Sequence, residues 1–116
     1  MRTGFFVLAL LLFAATPLWA DARADAKKQV EFGIGVAQRG LWKEAIYRWE
    51  RAAQIDPSYA APQNNLAVAY EHEGELGKAR AAYEKALELE PNNALIKQNY
   101  ELFKEINDRT TRQESQ

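Results

Sequence analysis

Any chemistry in this chain would have to come from a short inventory. It has one histidine, His72, and no cysteine among its 116 residues. The lack of cysteine removes disulfides, thiolate metal sites, iron–sulfur clusters, a thiol nucleophile and a cysteine-borne lipid anchor. A single histidine cannot build a two-histidine metal site. Beyond Ala20 the only serines are Ser58 and Ser115. Both fall where loop or tail is expected, so neither has a base positioned to activate it. The carboxylates come in runs, Glu71/Glu73/Glu75 and Glu84/Glu88/Glu90, with Lys78, Arg80 and Lys85 between or beside them. On a helix such runs make a solvated face. Glu71, His72, Glu73 and Glu75 cannot converge on one ion, because successive helical residues project about 100° apart. No catalytic residue, metal site or cofactor is expected, and the chain is not expected to be an enzyme. Trp42 and Trp49 could serve as stacking platforms, but their spacing places them in a core.

The bulk composition agrees. Lys+Arg is 15 and Asp+Glu is 16, a net charge of -1. That balance gives no electrostatic case for nucleic acid or for anionic lipid. Apolar residues are 47% and charged residues 27%, as in an ordinary folded protein. The length suits one compact domain.

The first twenty residues are expected to lie outside that domain. Met1-Arg2 is a short positive start, Gly4 to Ala15 is uncharged and apolar, Pro17 breaks the run, and alanines come after it at 20, 22 and 24. This is the order of a secretory signal peptide. Cleavage is expected after Ala20, with Ala22 and Ala24 as the next sites. A spanning helix needs about 20 apolar residues, and the run reaches that length only by including Thr16, Pro17 and Trp19. An uncleaved N-terminal anchor is the alternative, and the only expected membrane contact. The expected location is therefore exported, periplasmic or secreted, or else membrane-anchored and facing the periplasm.

The remainder repeats with a period of 34. Ala26/Ala60, Gln29/Gln63, Gly40/Gly74, Ala45/Ala79, Glu50/Glu84, Ala52/Ala86 and Pro57/Pro91 are identical at that spacing, with no gap. Phe32/Leu66, Ile34/Val68, Trp42/Leu76, Trp49/Tyr83 and Ile55/Leu89 keep their apolar character. Within each unit the apolar residues recur at helical steps of three and four. Gly40 and Gly74 suit helix stops with positive φ. Pro57 and Pro91 disfavour helix at the residue before them. Ser58 and Asn92 or Asn93 can cap the next helix in each case. The spacing predicts five helices, over about 23–38, 42–55, 60–73, 76–89 and 94–108, and a disordered polar tail over 109–116. Gly33 and Ala67 are small where Ala45 and Ala79 are small, so close helix–helix contacts are expected there.

These residues resemble the tetratricopeptide repeat family. Residues 60–93 fit its pattern at Asn65, Leu66, Ala67, Tyr70, Gly74, Ala79, Tyr83, Ala86 and Pro91. Residues 26–59 fit at Phe32, Gly33, Gly40, Ala45, Trp49, Ala52 and Pro57, with Val36 in place of the family's tyrosine. Residues 94–108 resemble only a first helix, and Glu101 stands where a small residue would be. A carboxylate there cannot face a packed helix without a burial penalty, so this helix is expected to cap the stack with Glu101 in water. The expected fold is all-α, a helix-turn-helix solenoid of two repeats (26–59 and 60–93) and a capping helix (94–108), forming one domain over 21–108. Two repeats and a cap sit just below the usual minimum for such stacks, so self-association is a second expectation.

The resemblance implies a non-catalytic protein-interaction module whose first helices line a concave groove for a peptide or a partner helix. The candidates for that groove are Val30, Glu31, Ile34, Asn64, Asn65, Val68, His72, Gln98, Asn99 and Leu102. The aliphatics would form a floor, and Asn65 and Asn99, one repeat apart, could pair with a peptide backbone. Some members of the family clamp a C-terminal carboxylate with a set of lysine or arginine and asparagine positions. Here Asn65 fills one, while Val30, Ile34, Leu95 and Asn99 stand at the others, so an apolar or amide-rich segment fits better than a charged terminus. No small-molecule substrate is implied.

Overall fold

A computed structural model describes residues 18–116. They form five α-helices: α1 (Leu18–Gln38), α2 (Trp42–Ile55), α3 (Ala60–His72), α4 (Leu76–Leu89) and α5 (Ala94–Glu114). There is no strand among the described residues. α1 packs on α2 and α3 on α4, and these two hairpins join through α2 against α3. α5 packs on α4. The architecture is an all-α solenoid of two helical hairpins and a further first helix.

The turns have the same construction in both hairpins. Gly40 and Gly74 take φ of 79° and 75°, where a side chain would be strained. At the first turn, Leu41 N–H reaches back to Val36 O at 3.0 Å and Gly40 N–H to Ala37 O at 2.9 Å. At the second, Glu75 N–H reaches Tyr70 O at 2.8 Å and Gly74 N–H reaches Glu71 O at 3.0 Å. This paired closure satisfies the last carbonyls of α1 and α3 and reverses the chain sharply.

The connections between repeats use side chains. Asn93 caps α5, its Oδ1 accepting from Ile96 N–H at 3.1 Å. Ser58 does not cap α3, where Tyr59 stands without a side-chain cap bond. Its hydroxyl and its N–H instead donate to Asp56 Oδ1, at 2.7 and 3.1 Å. Arg23 Nε donates to Asp56 Oδ2 at 2.5 Å, and its guanidinium lies 4.4 Å above the Tyr59 ring. This knot fastens the start of α1 to the α2–α3 connection.

The small residues sit where the helices approach closely. Ala45, Ala52, Ala67, Ala79 and Ala86 are fully buried. Gly33 lies against the Trp49 ring. A Cβ on Gly33 would lie 2.8 and 2.9 Å from Trp49 Cδ1 and Cε2, and closer still to Nε1. That indole donates to Val30 O at 3.1 Å, which fixes the ring. In the second repeat Ala67 and Tyr83 occupy the equivalent places. A bulkier ring and a missing methyl thus go together.

Three expectations require correction. Phe32 is 50% exposed while its repeat partner Leu66 is 4% exposed. Leu66 lies beneath α2, whereas α1 has no helix packed over its corresponding face among the described residues, and the Arg48 guanidinium sits 4.1 Å from the Phe32 ring instead. α5 continues through Glu114, where the sequence pattern predicts a disordered tail from residue 109. Its extension is held by local bonds: Glu105 pairs with Arg109, and Thr110 and Thr111 hydroxyls donate to Ile106 O and Asn107 O one turn back, at 3.1 and 3.0 Å. α1 starts at Leu18, ahead of the expected boundary, so it runs through the three expected cleavage positions. The rest of the expected signal peptide, 1–17, lies outside the described residues. Glu101 is exposed as expected and pairs with Lys104 at 2.9 Å.

The Gly33–Trp49 contact can be tested directly. Gly33→Ala should destabilise the fold by about 1–3 kcal/mol through overpacking, more than the roughly 0.5–1 kcal/mol that alanine contributes to helix propensity. Adding Trp49→Tyr, which copies the second repeat, should recover part of that loss; urea denaturation of the two single variants and the double variant checks it, and simple additivity would refute the contact. The knot at Asp56 should respond to acid. Burial pushes the Asp56 carboxyl up, but hydrogen bonds from Ser58 and Arg23 more than offset this and hold it below its ordinary value. A lowered folded pKa gives stability that is complete above the unfolded carboxylate range, near about 4, and is lost as pH falls through the depressed value. Asp56→Asn should therefore melt lower than the parent at about neutral pH, with the gap closing towards acid in melting curves taken across that range.

Candidate functional site

The first helices α1, α3 and α5 present one side chain each at a spacing of one repeat: Ile34, Val68 and Leu102. They are 41%, 37% and 55% exposed. A 34-residue period brings each to the same face of its helix, and nothing among the described residues covers that face. The result is an aliphatic ladder along the inner side of the stack.

Two hollows flank this ladder. One is formed by Ile34, Ala37, Gln38, Trp42, Trp49, Asn65 and Val68. The other is lined by Val30, Ile34, Tyr59, Asn64, Asn65, Glu90, Asn93, Leu95 and Ile96. Ile34 and Asn65 border both, so the hollows form one trough divided at Asn65.

Most of the predicted residues come together here, with different roles. Val30 is buried and belongs to the core as well as to the hollow. Asn64 is buried, and its Oδ1 accepts from Asn99 Nδ2 at 3.2 Å. That bond ties α5 to α3. The sequence pattern has Asn99 facing a ligand together with Asn65, but part of its hydrogen-bonding capacity is used inside the fold. Asn65 is half-buried, and its side-chain amide makes no hydrogen bond among the described residues. His72 is exposed and stacks on Trp42, with centroids 4.2 Å apart and planes at 22°. It does not line either hollow. Glu31, Gln98 and Leu102 are exposed and line neither hollow.

Trp42, expected in the core, is half-buried and forms a wall of the hollow. Leu76 takes its place in the second repeat, and that exchange of an aromatic for an aliphatic is the sequence signal for a different role. Tyr59 and Asn93, from the connections between repeats, and Ile96, in the first turn of α5, are not among the predicted groove residues, because their approach depends on the stacking of α3 and α5.

Several acids of the glutamate runs are engaged internally. Tyr83 donates to Glu71 Oε2 at 2.5 Å, and burial with this bond pushes the tyrosine hydroxyl well above its usual pKa. Tyr70 donates to Glu50 at 3.0 Å, and burial with that bond raises it to about 12. Tyr100 donates to Glu84 at 2.9 Å. The repeated acids Glu50 and Glu84 thus each receive a tyrosine from the next first helix. Among the described residues no three His, Asp or Glu side chains converge as metal ligands, and no helix is long and apolar enough to cross a membrane.

The chain matches the tetratricopeptide repeat family over residues 60–93, and a TPR repeat is also matched over residues 37–74. The chain carries tetratricopeptide repeats. Such repeats generally mediate protein–protein interaction and are generally non-catalytic. It is similar to the type IV pilus assembly protein PilF of Pseudomonas aeruginosa, 35% identical over 86 residues, which are 72% of this chain and 34% of that protein. It is also similar to the chloroplastic tetratricopeptide repeat domain-containing protein PYG7 of Arabidopsis thaliana, 30% identical over 73 residues, 63% of this chain and 24% of that one. A third relative, ycf37 of Pyropia yezoensis, is 47% identical over 45 residues, 39% of this chain and 25% of that one. The chain therefore spans about a third or less of the length of these relatives. Its repeats and its relatives support a role as a protein–protein interaction scaffold.

The two groove amides should respond differently to truncation. Asn99→Leu leaves buried Asn64 without its partner and should cost about 1–3 kcal/mol. Asn65→Ala, which breaks no internal bond, should stay within about 0.5 kcal/mol of the parent. Equilibrium urea unfolding of both variants checks the contrast.

Proposed function

We propose that the chain is a non-catalytic scaffold of the cell envelope that holds a protein partner in its concave groove. The observation that carries this reading is the repeated exposure of Ile34, Val68 and Leu102 beside the trough divided by Asn65. Apolar side chains on one uncovered face favour a partner that removes them from water, and the half-buried amide gives that partner polar orientation. The N-terminal order of charge, apolar run and alanines supports export to the periplasm, with cleavage after Ala20, or an uncleaved anchor. The relative named as a pilus assembly protein supports a role in holding other proteins during assembly.

A second reading is self-association. Leu95, Leu102 and Ile106 are all exposed on α5 and lie on one side of that helix. A second copy covering them would complete a short stack.

The two readings separate in one experiment. A photo-crosslinking residue is placed at Val68, at Ile106 and, as a control, at Glu88 on the outer surface. Partner capture in the cell at Val68 but not at Glu88 is the expected result, and Val68→Glu should reduce it at least tenfold. Crosslinks only between copies of the chain, strongest at Ile106, would favour self-association. Equal capture at Glu88 would refute the groove.

A further inference from the structure

We propose that the open end of the stack, where α1 and α2 face away from the second hairpin, is a separate docking surface, and that it takes an amphipathic helix of a partner protein with small apolar residues at its centre and acidic residues along its edges. The two hairpins share one construction, so the second shows what the first lacks. In α3, Leu66 and Ala69 are buried, and α2 is the helix that packs over them. One repeat earlier the same places hold Phe32 and Gly35. Both are exposed, and no helix among the described residues lies over them.

Gly35 is the residue that the fold itself does not explain. It lies within α1 and does not have a positive φ. A Cβ on it would meet nothing within 4 Å. Glycine inside a helix costs stability relative to alanine, and no contact among the described residues offsets that cost. A helix crossing at this point would, because a missing side chain lets two backbones approach closely. Beside it, Phe32 and Tyr47 are both exposed, and the Arg48 guanidinium holds the two rings, 4.1 Å from one and 5.5 Å from the other. The helix α2, which fills the equivalent place one repeat on, brings Ala53 and Gln54 to that face and an acid, Glu50, which accepts from Tyr70 at 3.0 Å.

The rim decides the charge of the occupant. Lys28, Phe32, Gly35 and Arg39 recur at steps of four, three and four, so they share one stripe of α1. Arg51 lies one turn beyond Tyr47 and Arg48 on α2. Arg48 is paired with Glu44 at 3.1 Å. Lys28, Arg39 and Arg51 make no ion pair among the described residues. These uncompensated cations favour an acidic occupant. They disfavour a second copy presenting the same end, which would bring like charges together.

Two pools of N-acetylated, C-amidated alanine-based peptides of about 18 residues, long enough to be helical alone, test this on the full chain. One pool carries Glu and the other Lys along both edges of a varied apolar face. The Glu pool should enrich, with small residues at the centre of the face. Its best peptide should bind at least tenfold more weakly to Gly35→Leu and to Phe32→Ala, and more weakly as salt is raised. Gly35→Leu should melt no lower than the parent, since it removes a helical glycine, which separates lost docking from lost fold. Gly35→Ala should still bind, as Ala69 does beneath α2. Val68→Glu, in the groove, should bind normally, so this proposal and the groove reading fail separately. Equal enrichment of the Lys pool, unchanged binding to Gly35→Leu, or no enrichment from either pool would overturn the proposal. So would binding lost on Val68→Glu alone, which would place the peptide in the groove. A chain that dimerises and becomes monomeric on Gly35→Leu would put a second copy on this end, and an oligouridylate retained by the parent but not by Phe32→Ala would assign the end to nucleic acid; either result overturns the partner helix.

Discussion

How closely the paired helices can approach governs this solenoid. Neither helix of a hairpin can bury its apolar face alone, and backbones can come together only where side chains are small. In the second hairpin Ala67 meets this requirement, with Tyr83 as the neighbouring ring. In the first hairpin the ring is Trp49, its indole bonded to Val30 O at 3.1 Å, and the facing position is glycine. The two repeats reach one geometry with different volumes. That geometry sets the pitch at which Ile34 and Val68 emerge on the inner side.

The bonds between successive repeats then carry the ladder forward. Glu50 and Glu84 each accept a tyrosine hydroxyl from the first helix of the next repeat. The donors are not equivalent by repeat: Tyr70 lies one turn further along its helix than Tyr100 does along α5. A fixed acceptor with a movable donor lets α5 keep the stacking while its own sequence departs from the pattern at Glu101. On the inner side the Asn64–Asn99 bond provides a second tie between α3 and α5. The groove is therefore held on both sides by polar contacts whose partners lie far apart in sequence.

At the start of the solenoid, the knot of Arg23, Asp56 and Ser58 does for the α2–α3 connection what helix capping does elsewhere. By sequence Ser58 suits a cap for α3, and Asp56 is simply an acidic residue before proline. Once Arg23 comes down from α1, the carboxylate gathers the hydroxyl, the N–H and the guanidinium together, and the serine is no longer available to α3. A local capping preference loses here to a charge-assisted cluster that only the folded chain assembles.

The helices, the turns at Gly40 and Gly74, the 34-residue repeat and the identity of the ladder are all legible in the amino-acid order. They arise from short-range periodicity and from backbone rules at glycine and proline. Asn65 and Val68 can be placed on the inner face in the same way, because a helical position repeated at a fixed period must return to the same side. Which of those residues remain available is settled in three dimensions. Val30 is drawn into the core, Asn99 is turned onto Asn64, His72 is stacked on Trp42, and Phe32 is left open where its repeat partner Leu66 is covered. Each outcome depends on whether another helix lies over the residue. Burial and hydrogen-bond pairing arise between segments distant in sequence, and no pattern within one helix encodes them.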